Sequence, residues 1–324
     1  MTLFTDLLSN WGVLFARLRP DLAIPGSPER CQLRHVVEDV SGSLWLLERL
    51  APDQTGKRET IGQFIDSLAR RSLHGLAPYR SVHVAPRVGV DLGAGTGHFV
   101  LKDWGHCWQL SQFILGEPLV QPDYLGDRSK GESLGAWMTA FREASTGMPP
   151  PAGLFPLDLP AYVMDLLAHI ASARPDIHER ASRVLLALSE FFEAYAELPH
   201  CLCHGDVHPM NVIWEGSALL AVIDWEFAGL RPEIYDLANC VGCLALEGGG
   251  DFNTPFTRAL LDRTLHADLF ALESVRMFVP FILATRFGWL SEWMRRADED
   301  MLTFELEYME FLAKLPDDCF LPGS

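Results

Sequence analysis

The stretch His204-Gly205-Asp206-Val207-His208-Pro209-Met210-Asn211, followed by Ala221-Val222-Ile223-Asp224-Trp225-Glu226, constrains this chain more than any other. Leu198 to Cys203 is a mostly apolar run that stops at His204-Gly205. Val212-Ile213-Trp214 is a second run, Glu215-Gly216-Ser217 a turn signal, and Leu219 to Ile223 a third run. This order predicts strand, tight polar loop, strand, turn, strand, then an acid. A hairpin of the last two strands would return Asp224 toward Asn211, with Asp206 on the loop just before. Single Asp and Asn residues are common in solvated turns. His-Gly-Asp, an Asn five residues after the Asp, and an Asp closing an apolar strand form a far more specific set.

A carboxamide oxygen and a carboxylate are hard oxygen ligands suited to Mg²⁺, which keeps several waters and shares its remaining positions with phosphates. The other carboxylate, on the loop, can accept a proton from an attacking hydroxyl. Phosphoryl transfer from a nucleotide uses these parts in this order.

The same residues resemble the aminoglycoside phosphotransferase and choline kinase family, which has a protein-kinase-like fold. The resemblance rests on His204-Gly205-Asp206 with Asn211, then Ile223-Asp224-Trp225-Glu226, and continues through Phe227-Ala228-Gly229-Leu230-Arg231-Pro232 to Tyr235-Asp236-Leu237-Ala238. It is specific over about residues 200 to 245. It implies Asp206 as catalytic base, Asn211 and Asp224 as Mg²⁺ ligands, and His204 and Asp236 as supports of the catalytic loop. It also implies ATP as phosphoryl donor. The implied architecture is α+β and two-lobed: a small β-rich N-terminal lobe over 1–111, a hinge at 112–118, and a larger, mostly helical lobe over 119–324.

A length of 324 residues allows one large or two ordinary domains with ample core. Net charge is -17, from 43 acids against 26 bases, and only Lys57, Lys102, Lys130 and Lys314 are lysines. Nucleic acid requires a basic footprint, so it is not an expected partner. No apolar run reaches transmembrane length and no signal pattern opens the chain, so the expectation is a cytoplasmic protein without a membrane partner. Seven cysteines are scattered, and they read as reduced, buried thiols. Cys201-x-Cys203 and Cys240-x-x-Cys243 fall on an apolar strand and an apolar helix, a poor context for zinc.

Toward the N-terminus, apolar residues at helical spacing predict one amphipathic helix over residues 1 to 20. Leu33 to Val40 and Leu44 to Leu50 read as strands around Ser41-Gly42-Ser43, and Gly56 to Leu73 as a helix. A further strand pair is expected near Val82 to Val90 and His98 to Leu115. Kinase small lobes carry a strand Lys that binds nucleotide phosphates and pairs with a helix acid. Leu44 to Leu50 has no Lys. Arg49 is the cation there, with Glu59 on the next helix as its partner, and Arg30 is a second candidate. The alternative is an Arg49 that simply reaches water. By the resemblance, backbone groups of Gln112, Phe113 and Ile114 would meet the adenine.

Val90-Asp91-Leu92-Gly93-Ala94-Gly95-Thr96-Gly97 taken alone resembles the first motif of S-adenosylmethionine-dependent methyltransferases. That motif opens a helix, whereas Phe99 to Trp108 reads as strand, turn, strand. From Ser133 onward the chain turns helical: Leu134 to Ala144, Leu159 to Ala173, Glu179 to Leu198, Leu272 to Arg296 and Met301 to Leu315. Trp289 and Trp293 share a helix face amid acids. They can cage an amine or pack in the core, and Glu226 can orient substrate or loop. The resulting expectation is an ATP- and Mg²⁺-dependent kinase acting on a hydroxyl of a small, amine-bearing molecule. A nucleotide-binding pseudokinase is the alternative, motivated by the missing strand Lys. The Gly-rich phosphate loop and Asp-Phe-Gly triplet of serine/threonine protein kinases are absent. Acceptor identity, ATP versus GTP, and oligomeric state are not legible.

Overall fold

The structure, a computed structural model, describes residues 2–22, 31–76, 98–151, 153–154, 157–265, 269–316 and 320. The chain forms two compact units. The smaller comprises Met1–Glu117, Pro149–Leu154 and Leu220–Glu226; the larger comprises Pro118–Met148, Phe155–Leu219 and Phe227–Ser324.

The smaller unit contains α1 (Thr2–Ser9), β1 (Phe15–Leu18), β2 (Cys31–Asp39), β3 (Leu44–Leu50), α2 (Thr55–Arg70), β4 (Leu101–Asp103) and β5 (His106–Gln112). Its strands form one sheet in the order β1-β2-β3-β5-β4, with every neighbouring pair antiparallel. The register opposes Val37 to Trp45 and Leu47 to Leu110. These residues, with Trp108, cluster with Leu7, Leu8, Trp11 and Val13. The helix expected over residues 1 to 20 therefore ends at Ser9. Gly12, with φ of 66°, turns the chain back, and β1 pairs with β2. Helical spacing could not reveal this break, because Trp11 and Val13 remain core residues after the helix has stopped.

On α2, Ile61, Phe64, Ile65 and Leu68 are buried at helical spacing. The Phe99 ring lies against Gly62, so closely that a Cβ there would sit 2.4 Å from Phe99 Cβ. Glu59 accepts hydrogen bonds from the backbone N–H groups of Phe99 and Val100, both at 2.9 Å. Phe99 and Val100 are not helical, and β4 follows at once. The helix required by the methyltransferase motif is therefore replaced by a strand. Arg30, Val82 to Val90 and the glycines from Gly93 to Gly97 lie outside the described residues.

The larger unit contributes α3 (Arg128–Ser145), α4 (Leu159–Ala173), α5 (Pro175–Arg183), α6 (Ser189–Ala194), β6 (His200–Cys203) and β7 (Val212–Glu215). The unit boundary falls inside β8 (Ala218–Val222), which forms a two-stranded sheet with β7. Then come β9 (Gly229–Pro232), α7 (Tyr235–Glu247), α8 (Pro255–Thr264), α9 (Leu272–Arg276), α10 (Phe278–Arg296) and α11 (Glu299–Leu312). β6 and β9 pair antiparallel, with Cys203 opposite Gly229. Residues 235 to 245 of α7 are buried on every side, as expected of a helix without a polar face. The long helices expected at Glu179 to Leu198 and Leu272 to Arg296 are both broken. Two short 3₁₀ segments interrupt the first, at Val184–Leu188 and Tyr195–Glu197, and Met277 separates α9 from α10 in the second. No helix among the described residues is long and apolar enough to cross a membrane.

The contact at Gly62 gives a direct test of the smaller unit. Gly62→Ala gains about 1 kcal/mol in helix propensity, but forces a methyl into the buried Phe99 side chain at an overpacking cost of about 1–3 kcal/mol. The expected result is a net loss in chemical denaturation. A midpoint at or above that of the parent would mean that Phe99 can move aside.

Candidate active site

In the larger unit, β6 delivers the chain to His204, and α7 meets it from behind. Asp236, in the first turn of α7, accepts the backbone N–H of His204 at 2.7 Å and of Gly205 at 2.8 Å, one on each carboxylate oxygen. Gly205 has φ of 85°, and a Cβ there would lie 2.1 Å from the Phe227 carbonyl oxygen. Only glycine suits that conformation and that approach. The fully buried His204 turns its Nδ1 to the backbone N–H of Asp206 at 3.2 Å. Asn211 donates from Nδ2 to the Asp206 carbonyl at 2.8 Å and to Asp206 Oδ2 at 3.1 Å. Asn211 ends a 3₁₀ turn over Pro209–Asn211, which the Trp214 indole fixes by donating to the Pro209 carbonyl at 3.1 Å. His204, Asp206, Asn211 and Asp236 thus form one bonded assembly.

The turn between β7 and β8 is held by residues the sequence reading missed. Asp127 caps α3, and Lys130 Nζ donates to Asp127 Oδ2 at 3.0 Å and to the Gly216 carbonyl at 2.6 Å. Ser217 donates to Asp127 at 2.7 Å, and Ser133 to the Ser217 carbonyl at 2.8 Å. The available signal was the Asp127-x-x-Lys130 cap, about two turns before the expected start of the helix at Leu134.

In the smaller unit, Asp224 stands two residues past β8 with φ of 64°. A left-handed backbone at a non-glycine residue is uncommon, and such residues concentrate at functional sites. The next two residues are anchored to α2. Trp225 is buried, donates to the Val222 carbonyl at 3.0 Å, and meets the Phe64 ring edge-on at 5.9 Å. Glu226 is ion-paired to Arg58, with side-chain exposures of 5 % and 3 %. Glu226 is therefore not presented to a substrate, because burial leaves it facing a helix cation.

The expected Arg49–Glu59 pair is not formed. Glu59 spends its carboxylate on the N–H groups of Phe99 and Val100, and Arg49 Nε is buried without a hydrogen-bond partner. On β3 the buried charge is Glu48, bonded by Arg34 Nε of β2 at 2.7 Å. Burial opposes charge on Arg34, but Glu48 outweighs it and holds its pKa above the ordinary value, with Arg58 pulling the other way. Of the expected adenine-facing residues, Gln112 is in the β5 ladder opposite Trp45, and Phe113 donates its N–H to the Leu44 carbonyl at 2.9 Å. Ile114 is the first of them past the sheet.

The donor chemistry fits a divalent ion. Both side-chain bonds of Asn211 are made by its amide nitrogen, and its carboxamide oxygen, like the Asp224 carboxylate, is by type a hard oxygen donor. Among the described residues no group of three or more His, Cys, Asp and Glu side chains is placed to hold a metal. A set of one Asp and one Asn, completed by phosphate and water oxygens, is the kind Mg²⁺ uses.

Trp289 and Trp293 stack at 5.8 Å. Arg286 lies over Trp289 at 5.5 Å and Arg296 over Trp293 at 5.4 Å. Trp293 also donates to Glu305, which forms a buried pair with Arg286. Both rings thus hold cations of the chain itself, the arrangement of packing rather than of an amine cage. The edge of the stack meets His208 at 5.9 Å, two residues beyond Asp206.

The family profile described as APH, phosphotransferase enzyme family, matches residues 37–278. Homoserine kinase of Parvibaculum lavamentivorans is 35% identical over 156 residues, 48% of this chain and 41% of that protein. Homoserine kinase of Methylocella silvestris is 33% identical over 149 residues, 45% and 38% of the two chains. The chain thus spans about two fifths of the length of the curated relatives it matches. Among solved structures, amicoumacin kinase in complex with AMP-PNP, Ca²⁺ and Ami has a TM-score of 0.64 at 14% identity, covering 96% of both chains. The GDP complex of aminoglycoside 2'-phosphotransferase-IIIa has a TM-score of 0.60 at 17% identity, covering 96% of this chain and 97% of that one. A choline/ethanolamine kinase family protein from Mesorhizobium loti has a TM-score of 0.59 at 15% identity, covering 94% and 90%. The fold is the two-lobed, protein-kinase-like α+β fold. Within it, the chain belongs to the phosphotransferase enzyme family.

The support beneath the loop is sensitive to pH. Burial raises the Asp236 carboxyl from 3.8 to about 6, against the pull of the Gly205 and His204 amides and of Arg231. Because the folded value is the higher one, the associated stability is fully present below about 3.8 and is lost as pH rises through about 6. That difference corresponds to about 3 kcal/mol. The loop bonds run the other way, since protonation takes an acceptor from one of the two amides. Between pH 8 and pH 5, hydrogen exchange at His204 and Gly205 should accelerate relative to intrinsic rates, while Asp236's own contribution to stability grows. Asp236→Asn should exchange fast at both pH values; unchanged protection would remove Asp236 as the support.

Proposed function

We propose that this protein is a small-molecule kinase that moves the γ-phosphoryl group of ATP to a hydroxyl of an amine-bearing acceptor. The observation that carries this is the Asp206–Asn211 pair on a loop braced by Asp236. Asp206 accepts the proton of the acceptor hydroxyl as that oxygen bonds the γ-phosphorus and the bond to the ADP oxygen breaks. Asn211 orients the Asp206 carboxylate and, with Asp224, would hold Mg²⁺. When bound, that ion supplies neutralisation of phosphate charge. Ile114 and its neighbours in the hinge over 112–118 would meet the adenine.

Homoserine leads the candidate acceptors, on the support of the homoserine kinases matched over about half of this chain. Those matches are partial, so choline, ethanolamine, aminoglycosides and amino sugars belong in the same test. The retained Asp206, Asn211 and Asp224 together favour catalysis over a nucleotide-binding pseudokinase.

The experiment is ADP release from Mg-ATP across these acceptors, with Asp206→Asn as control. Loss of a positioned base is expected to lower turnover by about 10²–10⁴-fold while Mg-ATP affinity stays within a few-fold. Wild-type turnover in Asp206→Asn would overturn the assigned base. ATP binding without turnover of any acceptor in the parent would favour the nucleotide-binding pseudokinase.

A further inference from the structure

The segment after Asp224 is tied to one helix at two successive residues. Trp225 packs its ring edge-on against Phe64, and Glu226 is ion-paired to Arg58. Phe64 and Arg58 lie six residues apart on α2, so the helix grips residues 225 and 226 over almost two turns. The charge pattern is reversed from the one expected of such a lobe. The helix contributes the base, and the strand β3 contributes an acid, Glu48, which already has Arg34 at 2.7 Å. Arg58 thus ties α2 to the Asp224 segment through Glu226.

We infer that Arg58 and Glu226 are positioning residues, a buried latch that sets the left-handed Asp224 in its metal-binding conformation and couples metal–nucleotide binding to the seating of α2. Three observations support this. Asp224 has a left-handed backbone, with φ of 64°, which is uncommon outside glycine although Asp tolerates it better than most residues. The pair is almost fully removed from water, so its geometry is held much more firmly than that of a surface ion pair. The same helix bonds Phe99 and Val100 through Glu59, so α2 is itself fixed at a second place. The inference rests on Asp224 being a metal ligand.

The test measures nucleotide affinity by calorimetry with and without Mg²⁺ for Arg58→Gln, Glu226→Gln, their double variant, the swap Arg58→Glu/Glu226→Arg, and Asp224→Asn. A positioning latch predicts that each single variant loses about 10- to 100-fold of the Mg²⁺-dependent affinity, with metal-free affinity unchanged. The double variant should be no worse than the worse single, and the swap should recover part of the loss. If Glu226→Gln loses the metal-dependent part while Arg58→Gln keeps it, Glu226 is itself a ligand and the latch is overturned. If both keep it and only melt earlier, the pair is merely structural and the inference fails. If Asp224→Asn keeps it, the underlying assignment of the metal ligand fails, a separate outcome.

Should the buried substitutions prevent folding, hydrogen exchange on the parent decides. Adding Mg²⁺ to the nucleotide complex should protect residues 223–227 and the first two turns of α2 together. Protection of residues 223–227 without α2 would overturn the coupling.

Discussion

Two backbone N–H groups, those of His204 and Gly205, end on one buried carboxylate, and the geometry of the Asp206 loop follows from that. A chain leaving a strand and turning sharply loses its ladder partners, and buried amides left without acceptors are costly. Asp236 supplies both acceptors from the first turn of α7, where the helix dipole favours negative charge. With these amides held, Gly205 can take its positive φ against the Phe227 carbonyl. His204 can then bond the Asp206 N–H, and Asn211 can reach Asp206 twice. Each of these contacts assumes the one before it.

The parts of this arrangement that were legible in the sequence are those whose geometry is local. Strand, Gly turn, Asp, Asn and second strand are near neighbours in the chain, and short-range turn chemistry predicts them. The β3 and α2 elements were legible for the same reason, being periodic and bounded by clear turns. Elements that depend on a distant partner were not. β1 exists because it pairs with β2, and β9 because it pairs with β6; neither four-residue run has an alternation long enough to read. The broken helix between Pro175 and Glu197 kept its apolar spacing through the 3₁₀ segments, so periodicity could not expose the interruptions.

Side-chain pairing was the least legible property, and the smaller unit shows why. Arg49 and Glu59 have the residue types and order of a strand–helix ion pair, yet neighbouring residues carry the buried charges. Glu48 bonds Arg34, and Arg58 meets Glu226, a residue 168 positions away in sequence. A one-residue change on a strand turns the side chain to the opposite face, so Arg49 and Glu48 answer to different surroundings. Sequence order says which charges are available, but only the register of β2 against β3, Arg34 opposite Glu48, selects which of them meet.

The same principle accounts for the aromatic pair on α10. Trp289 and Trp293 in sequence are surrounded by Glu292, Glu299 and Asp300, which suggests a pocket for a cation. In the fold, Glu292 is taken by Arg295 and Arg296, which hold its carboxyl down at about 2. Arg286 and Arg296 then occupy positions over the rings. Arg286 is itself fixed by Glu305 through two 2.6 Å bonds, with both side chains almost wholly buried. An arginine so placed satisfies the ring quadrupole from inside the protein, and its removal would leave Glu305 as an uncompensated buried charge. The aromatic stripe is therefore part of what fixes α10 against α11, and its connection to the Asp206 loop runs through the His208 edge.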